Sequence, residues 1–295
     1  MPAVSASPTP FQGLWIPLVT PFHDGAVDHL SLARMTKKLA GQGITGFVAC
    51  GSTGEAAALD KAEQLAVLET VLDASQGLPV VMGLSGYHLD QTQEWVQTLA
   101  QYPLAGLLVS APHYIRPSQD GLLLWFRALA DASAAPLVIY DIPYRTGATL
   151  ATDTLLALAA HPRIRAIKDC GGNAAKTQAL IADGRLAVLA GEDAQMFTTL
   201  ALGGHGAIAA SAHWQAPRFV AVMELLRAGD LPEARRVWQA LLPWVEACFA
   251  EANPAPLKAV LAHAGWMRNE LRAPMTAASA ALEQRLQTLP GLSPR

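Results

Sequence analysis

Charged residues are scarce in this sequence. They make up 15% of the 295 residues, against a usual fraction of about 25%, while 52% of the residues are hydrophobic. This composition excludes an intrinsically disordered chain and favours a large core and a buried subunit interface. The length allows one large domain, such as an α/β barrel with additions, or two smaller domains.

Basic clusters and long apolar runs are also absent. No run of lysine or arginine exceeds two residues, the net charge is −3 and the pI is about 6.2, so neither nucleic acid nor a membrane surface is expected as a partner. No 18 consecutive apolar residues occur, which excludes a membrane span. Residues 1–10 lack a basic start and an apolar stretch, so they predict a loose tail and no signal peptide. A small-molecule partner is expected.

Cysteine is rare. The three cysteines are an odd number without C-x-x-C spacing, which argues against a disulfide framework or a thiolate metal site and favours a reducing, cytoplasmic location. Cys50 and Cys170 are interpreted as packing residues. His113, Asp141 and His205 lack metal-binding spacing such as H-E-x-x-H, so no metal is predicted.

Short apolar runs alternate with helical stretches along most of the chain. The helical stretches carry start signals, such as Asp60 with Glu63 three residues later, the pattern of a capping box. Eight such units predict a closed (β/α)8 TIM barrel rather than an open sheet, because no G-x-G-x-x-G follows the first strand. The predicted strands are 14–20, 46–50, 79–83, 106–110, 137–141, 165–169, 186–190 and 206–210.

The barrel is predicted to occupy residues 11–229, and its last helix, at 217–228, ends at Gly229. Residues 230–295 then form a C-terminal helical region. Three helices are expected there, with start signals near Asp230, Asn253 and Thr276.

Lys168 is the most informative residue. A lysine within an apolar strand loses hydration, which is costly and lowers the amine pKa, and a neutral amine is the form that attacks a carbonyl to give a Schiff base. The alternative is a lysine at the strand margin that pairs with Asp169.

Tyr140 is the candidate proton relay. Strand alternation places Tyr140 and Lys168 on equivalent faces, so neighbouring fifth and sixth strands would bring the phenol close to the amine. The alternative is a core aromatic with a satisfied hydroxyl.

Two further strand ends offer anion-binding groups. The turn 51–54 presents hydroxyls and backbone N–H groups at the start of a helix, and Arg145 follows the fifth strand in a loop. A plain glycine turn and an unpaired surface arginine are the alternatives. Phosphate is disfavoured because the seventh strand is followed by acidic residues at 192–193.

Seven ordered blocks resemble the dihydrodipicolinate synthase family of pyruvate-dependent, class I aldolase-like enzymes. The resemblance covers nearly the whole chain, and the third block comprises Tyr114 with residues 116–118. The other blocks are 17–22, 51–55, 140–147, 167–169, 203–206 and 253–256.

For pyruvate, the resemblance implies that Lys168 forms the Schiff base. Ser52, Thr53 and the nearby backbone, with Gly51, would bind the pyruvate carboxylate, and Ile208 would be a further substrate-binding residue. The covalent imine on Lys168 would make a cofactor unnecessary.

For the second substrate, the resemblance implies that Arg145 binds the carboxylate of aspartate 4-semialdehyde. Tyr140 would relay protons together with Ser52 or Thr53 and with Tyr114 of a neighbouring subunit in a homotetramer. The expected activity is that of a lyase that forms 4-hydroxy-tetrahydrodipicolinate for diaminopimelate and lysine biosynthesis.

The sequence departs from the family pattern at several positions. Asp141 replaces a usual asparagine, Asp169 replaces a usual glutamate, and 83–86 differs from a glycine-threonine-glycine turn, which bears on the second substrate. The positions that bind lysine in feedback-regulated members are also changed, so lysine inhibition is not expected. They hold Ala56, Lys61, Gln64, Tyr87, Gln91 and His113.

Three alternative functions stay open. One is another pyruvate-dependent aldolase or lyase of the same family that acts on a different aldehyde or a 2-keto-3-deoxy acid. The others are a non-catalytic keto-acid sensor and a metal-dependent barrel enzyme. Retention of Lys168, Tyr140 and Tyr114 together argues against the sensor, because binding alone requires no nucleophile and relay.

Overall fold

Eight parallel strands close into a barrel in the computed structural model, which describes residues 11–289. The strands are mostly apolar and almost fully buried, as expected when helices cover one face and side chains fill the other. The predicted (β/α)8 barrel is confirmed, whereas the predicted tail at 1–10 lies outside the described residues. The strands are β1 (Gly13–Pro17), β2 (Gly46–Ala49), β3 (Val80–Leu84), β4 (Gly106–Ser110), β5 (Leu137–Asp141), β6 (Ile164–Asp169), β7 (Ala187–Ala190) and β8 (Gly206–Ile208).

Helices connect successive strands. The predicted capping box at the start of α2 is present, since the Asp60 side chain accepts from Glu63 N and the Glu63 side chain accepts from Asp60 N. None of the described helices is both long and apolar enough to cross a membrane. They are α1 (His29–Ala40), α2 (Lys61–Ala74), α3 (Leu89–Leu99), α4 (Gln119–Ala132), α5 (Pro143–Thr146), α6 (Thr152–Leu158), α7 (Ala174–Asp183), α8 (Met196–Ala201) and α9 (Ala216–Arg227).

Close backbone approach at β1 allows the barrel to close. β1 pairs with β8 on one side, where Gly13 faces Gly206, and with β2 on the other, where Trp15 faces Gly46. A Cβ atom on Gly206 would lie 2.1 Å from the Gly13 carbonyl oxygen. Glycine is therefore required where the first and last strands meet.

Strand alternation divides the core into two layers. On β5, Val138 and Tyr140 belong to the cluster inside the barrel, while Leu137 and Ile139 pack against the outer helices. The same alternation points Ala166 into the barrel one step below Lys168.

Three helices follow the barrel within residues 11–289. Asp230 caps the first as predicted, but the last begins later than Thr276, because Ser279 provides its cap. The Ser279 hydroxyl accepts from Leu282 N, and the Glu251 carboxylate accepts from the Ser279 backbone N–H, which fixes the helix start there. The helices are α10 (Leu231–Cys248), α11 (Ala255–His263) and α12 (Ala280–Gln287).

Candidate active site

Lys168 lies near the carboxyl end of β6 and lines a cavity of about 300 Å³. The cavity is formed by residues that follow the ends of several strands, which is where barrel enzymes place their chemistry. Only 6% of Lys168 is exposed. Gly191, after β7, makes room for it, because a Cβ atom there would lie 2.8 Å from Lys168 Cγ.

Burial lowers the pKa of the Lys168 amine, and the nearby acidic residues Asp193 and Glu192 oppose that shift. The alternative ion pair with Asp169 does not form. The Asp169 carboxylate instead accepts from Gly171 N at 2.9 Å and from Thr177 Oγ1 at 2.5 Å. Lys168 is thus a desolvated amine that has no ion-pair partner among the described carboxylates, so its neutral, nucleophilic form is favoured.

Tyr140 is the direct neighbour of Lys168 in the strand register. The Lys168 Nζ atom lies 4.3 Å from the centroid of the Tyr140 ring. Burial raises the pKa of Tyr140 well above its ordinary value, although a hydrogen bond with the Ser52 side chain opposes the shift. The phenol therefore stays protonated at neutral pH and can donate to a reacting group beside the amine.

The turn at 51–54 follows β2 on the other side of the cavity. Ser52 and Thr53 line the Lys168 cavity, while Gly51 and Ser52 line an adjoining cavity of about 390 Å³. No group among residues 11–289 accepts a hydrogen bond from the backbone N–H of Ser52 or Thr53. Two free donors beside two hydroxyls suit a carboxylate.

The expectation that this turn opens a helix is wrong. Glu55 adopts a left-handed conformation with φ of 53°, a 3₁₀ turn follows at Ala56–Ala58, and α2 begins only at Lys61. The dipole of α2 therefore contributes little at Ser52, and the anion-binding capacity comes from local donors alone.

Residues of the C-terminal region support the turn at 51–54. Asn253 Nδ2 donates to Thr53 Oγ1 at 3.0 Å, and buried Lys258 on α11 pairs with buried Glu55. Lys258 also donates to the Glu270 carbonyl oxygen at 2.8 Å. Sequence reasoning missed the supports from Asn253 and Lys258 to the turn because these partners lie about 200 residues apart and carry no local signal.

Of the remaining predicted site residues, Arg145 and Ile208 line a cavity and Tyr114 does not. Arg145 lines both cavities, but it lies on the short helix α5 rather than in a loop. Ile208 at the end of β8 lines the Lys168 cavity. Tyr114 is 88% exposed and lines neither cavity of its own chain.

Two of the departures from the family pattern lie away from the cavities. The Asp141 carboxylate pairs with Lys176 on α7, and both side chains are buried. Asp169 is bound to Thr177 on the same helix. These two changes therefore fasten α7 to the barrel and do not contact the space open to substrate, whereas residues 83–85 do line the larger cavity.

We expect the Asp141–Lys176 pair to respond as a unit to mutation. D141N or K176M alone leaves one buried charge unpaired and should lower the free energy of unfolding by about 3–5 kcal/mol. The double variant D141N/K176M should recover most of that loss, as measured by urea denaturation. If the losses in the free energy of unfolding of the two single variants added in the double variant, this interpretation would be contradicted.

Metal and thiol sites are not formed by the described residues. All three cysteines are free and buried. No group of three or more potential ligands occurs within residues 11–289. The histidines considered from the sequence are dispersed, since His113 packs against Tyr87 and the His205 ring accepts from Val188 N.

A closed (β/α)8 barrel with a buried lysine in a cavity at its carboxyl end defines a barrel enzyme. Residues 10–289 match the dihydrodipicolinate synthetase family, and the chain belongs to this family. It is therefore an enzyme of the lyase or synthase type.

Individual relatives resemble the chain over nearly their whole length. The chain is 38% identical over 286 residues to 4-hydroxy-tetrahydrodipicolinate synthase from Sorangium cellulosum, with 95% of each protein covered. It is 33% identical to 4-hydroxy-tetrahydrodipicolinate synthase 2 from Clostridium acetobutylicum, covering 93% of this chain and 98% of that protein. The solved structure of the Cyanidioschyzon merolae enzyme with lysine bound has a TM-score of 0.91 at 31% identity, covering 94% and 96% of the two chains.

Proposed function

We propose that this enzyme condenses pyruvate with L-aspartate 4-semialdehyde to 4-hydroxy-tetrahydrodipicolinate, on the route to diaminopimelate and lysine. The observation that carries the proposal is the desolvated Lys168 amine beside the Tyr140 phenol, in a cavity at the barrel mouth. The names of the similar proteins support the choice of reaction.

In the proposed reaction, the neutral Lys168 amine attacks the C2 carbonyl of pyruvate, and water leaves to give a protonated imine. Loss of a C3 proton forms an enamine, whose carbon attacks the aldehyde carbon of the second substrate. The amino group of that substrate then displaces Lys168 and closes the ring, so that the two substrates give the product and one water. The protonated imine is itself the electron acceptor, and the reaction proceeds without a cofactor.

The polar groups around the amine have separate roles in this proposal. The Ser52 and Thr53 hydroxyls and backbone N–H groups bind the pyruvate carboxylate, with Gly51 giving access to the backbone. Tyr140 and Ser52 move protons to and from the imine and the aldehyde oxygen. Ile208 provides an apolar wall, and Arg145 binds the carboxylate of the aldehyde.

Tyr114 completes the relay in a neighbouring subunit of a homotetramer. In support of this role, its side chain is 88% exposed, and the residue has a left-handed backbone with φ of 73°. Such an exposed aromatic side chain suits a subunit contact.

The test combines trapping with turnover. The enzyme is incubated with pyruvate, reduced with borohydride and digested, and mass spectrometry should find the adduct on Lys168. In a separate assay with untreated enzyme, aspartate semialdehyde should be consumed together with pyruvate. An adduct without turnover would favour another pyruvate-dependent lyase, and activity lost to a chelator without any adduct would indicate a metal aldolase.

We also predict that lysine does not inhibit the enzyme. Among the positions that bind lysine in regulated relatives, Lys61 adds a like charge and lies 4.0 Å from the Trp95 ring, and Gln64 is bound to the carbonyl oxygens of Ala56 and Leu59. A bound lysine would meet a cation instead of an acceptor. An activity titration should stay flat through millimolar lysine, and strong inhibition below millimolar concentration would contradict the prediction.

A further inference from the structure

Tyr144 and Glu192 form a bridge across the mouth of the Lys168 cavity. Tyr144 belongs to α5, directly after β5, and Glu192 follows β7. The Tyr144 hydroxyl donates to Glu192 Oε1 at 2.8 Å. Because β6 lies between β5 and β7 in the sheet, this bond crosses over the end of the strand that carries Lys168.

The bridge presents an unneutralised carboxylate to the cavity. Glu192 and Tyr144 both line the same cavity as Lys168. Glu192 forms no ion pair with any cation in residues 11–289, and its hydrogen bonds with the Tyr144 hydroxyl and the Cys170 thiol involve neutral groups. Its charge therefore remains available to a ligand.

A cation lines the same cavity as this anion. Arg145 is the chain neighbour of Tyr144 and lines the same cavity. The cavity is thus lined by one positive and one negative group. An α-amino acid has the complementary pair, an ammonium and a carboxylate on a single carbon atom.

We propose that Glu192, oriented by Tyr144, binds the α-ammonium group of the aldehyde substrate while Arg145 binds its α-carboxylate, which restricts the enzyme to aldehydes that are α-amino acids. This inference rests on the proposed condensation and names the residue that selects its second substrate. Glu192 is a specificity residue, and Tyr144 is a positioning residue that acts through it.

The arrangement also disfavours the alternative substrates. A sugar-derived keto acid or an aromatic aldehyde offers no cation to Glu192, so its binding would desolvate a carboxylate without pairing it. An unpaired buried charge is a strong basis for rejecting a ligand. Selectivity in this cavity therefore follows from charge as well as from shape.

The test uses two aldehydes that differ only in the amino group, aspartate 4-semialdehyde and succinate semialdehyde. In E192Q, kcat/KM for aspartate semialdehyde should fall about 10- to 100-fold, the usual range for one charge-assisted contact. The inhibition constant of succinate semialdehyde should not rise and should fall if the unpaired carboxylate disfavours its binding. Glu246, exposed on α10, serves as a matched control, and E246Q should leave both values unchanged.

The role of Tyr144 is tested with Y144F, which keeps the ring and removes the donor. Its KM for aspartate semialdehyde should rise several-fold with little change in kcat, since the carboxylate remains but loses its fixed orientation. An unchanged KM would overturn the positioning role.

The outcomes separate this inference from the proposed function. An E192Q enzyme that traps pyruvate normally yet keeps the wild-type kcat/KM for aspartate semialdehyde overturns the inference and leaves the condensation intact. The inference is also overturned if E192Q weakens inhibition by succinate semialdehyde by the same factor as it lowers kcat/KM for aspartate semialdehyde. The effect would then not depend on the amino group. A wild-type enzyme that traps pyruvate but does not turn over aspartate semialdehyde overturns the proposed function and the inference together.

Discussion

Replacing Lys168 by alanine is expected to lower kcat by at least about 10³-fold, because no other lysine of residues 11–289 lines either cavity and could form the imine. The residual rate would come only from binding and orientation of the two substrates. Borohydride reduction in the presence of pyruvate should leave the variant without an adduct. Folding should be preserved, since the substitution removes a desolvated polar group from the barrel interior.

A matched lysine provides the control for this result. Lys38 on α1 also has its Nζ atom over an aromatic ring, 4.1 Å from the Trp266 centroid, but it lies outside both cavities. K38A should therefore retain turnover and the adduct. Turnover that survives in K168A, or an adduct that moves to buried Lys176, would contradict the assigned role of Lys168.

The barrel was predictable because local and global signals agree along most of the chain. Apolar runs such as 137–140 are too continuous for a strand exposed on one face, and they recur eight times between helix start signals. The boundaries are less certain where tertiary contacts decide them. Ser279, for example, replaces Thr276 as the last cap because Glu251 anchors its backbone N–H.

The centre of the site was predictable for the same reason. A charged residue within an apolar strand is a local anomaly, and Lys168 is buried in the cavity as its sequence context suggests. Strand alternation was enough to place Tyr140 beside it, and the observed register gives that pairing. Both arguments use only the period of the strands and the closure of the sheet.

The support around the site could not be predicted, because it depends on partners distant in sequence. In the sequence, Lys176 cannot be distinguished from an ordinary lysine of an amphipathic helix. In the structure, it pairs with Asp141 on a strand 35 residues earlier. Glu192 appeared only as an argument against phosphate, and its bond to Tyr144 depends on which loops meet above β6. Tyr114 has no hydrogen bond or ring contact within residues 11–289, so the proposed role of this residue could not be checked from contacts within one chain.

Replacing Tyr140 by phenylalanine is expected to lower kcat by about 10²- to 10⁴-fold, the range for loss of a positioned acid–base group. The ring is retained, so the packing inside the barrel and the contact with the Lys168 amine should persist. Borohydride should still trap pyruvate on Lys168, although more slowly, because the phenol moves protons and forms no bond to the substrate. Trapping and turnover would thus be affected to different degrees.

The pH profile and a matched tyrosine make this prediction specific. Because burial raises the pKa of Tyr140 well above its ordinary value of 10.0, the wild-type enzyme should not lose activity through ionisation of this phenol below pH 10. Tyr102 is half-buried and donates to Glu69 outside the cavities, and Y102F should retain full activity. If Y140F kept more than about a tenth of the wild-type kcat, proton relay would have to be assigned to Ser52 or to a neighbouring subunit.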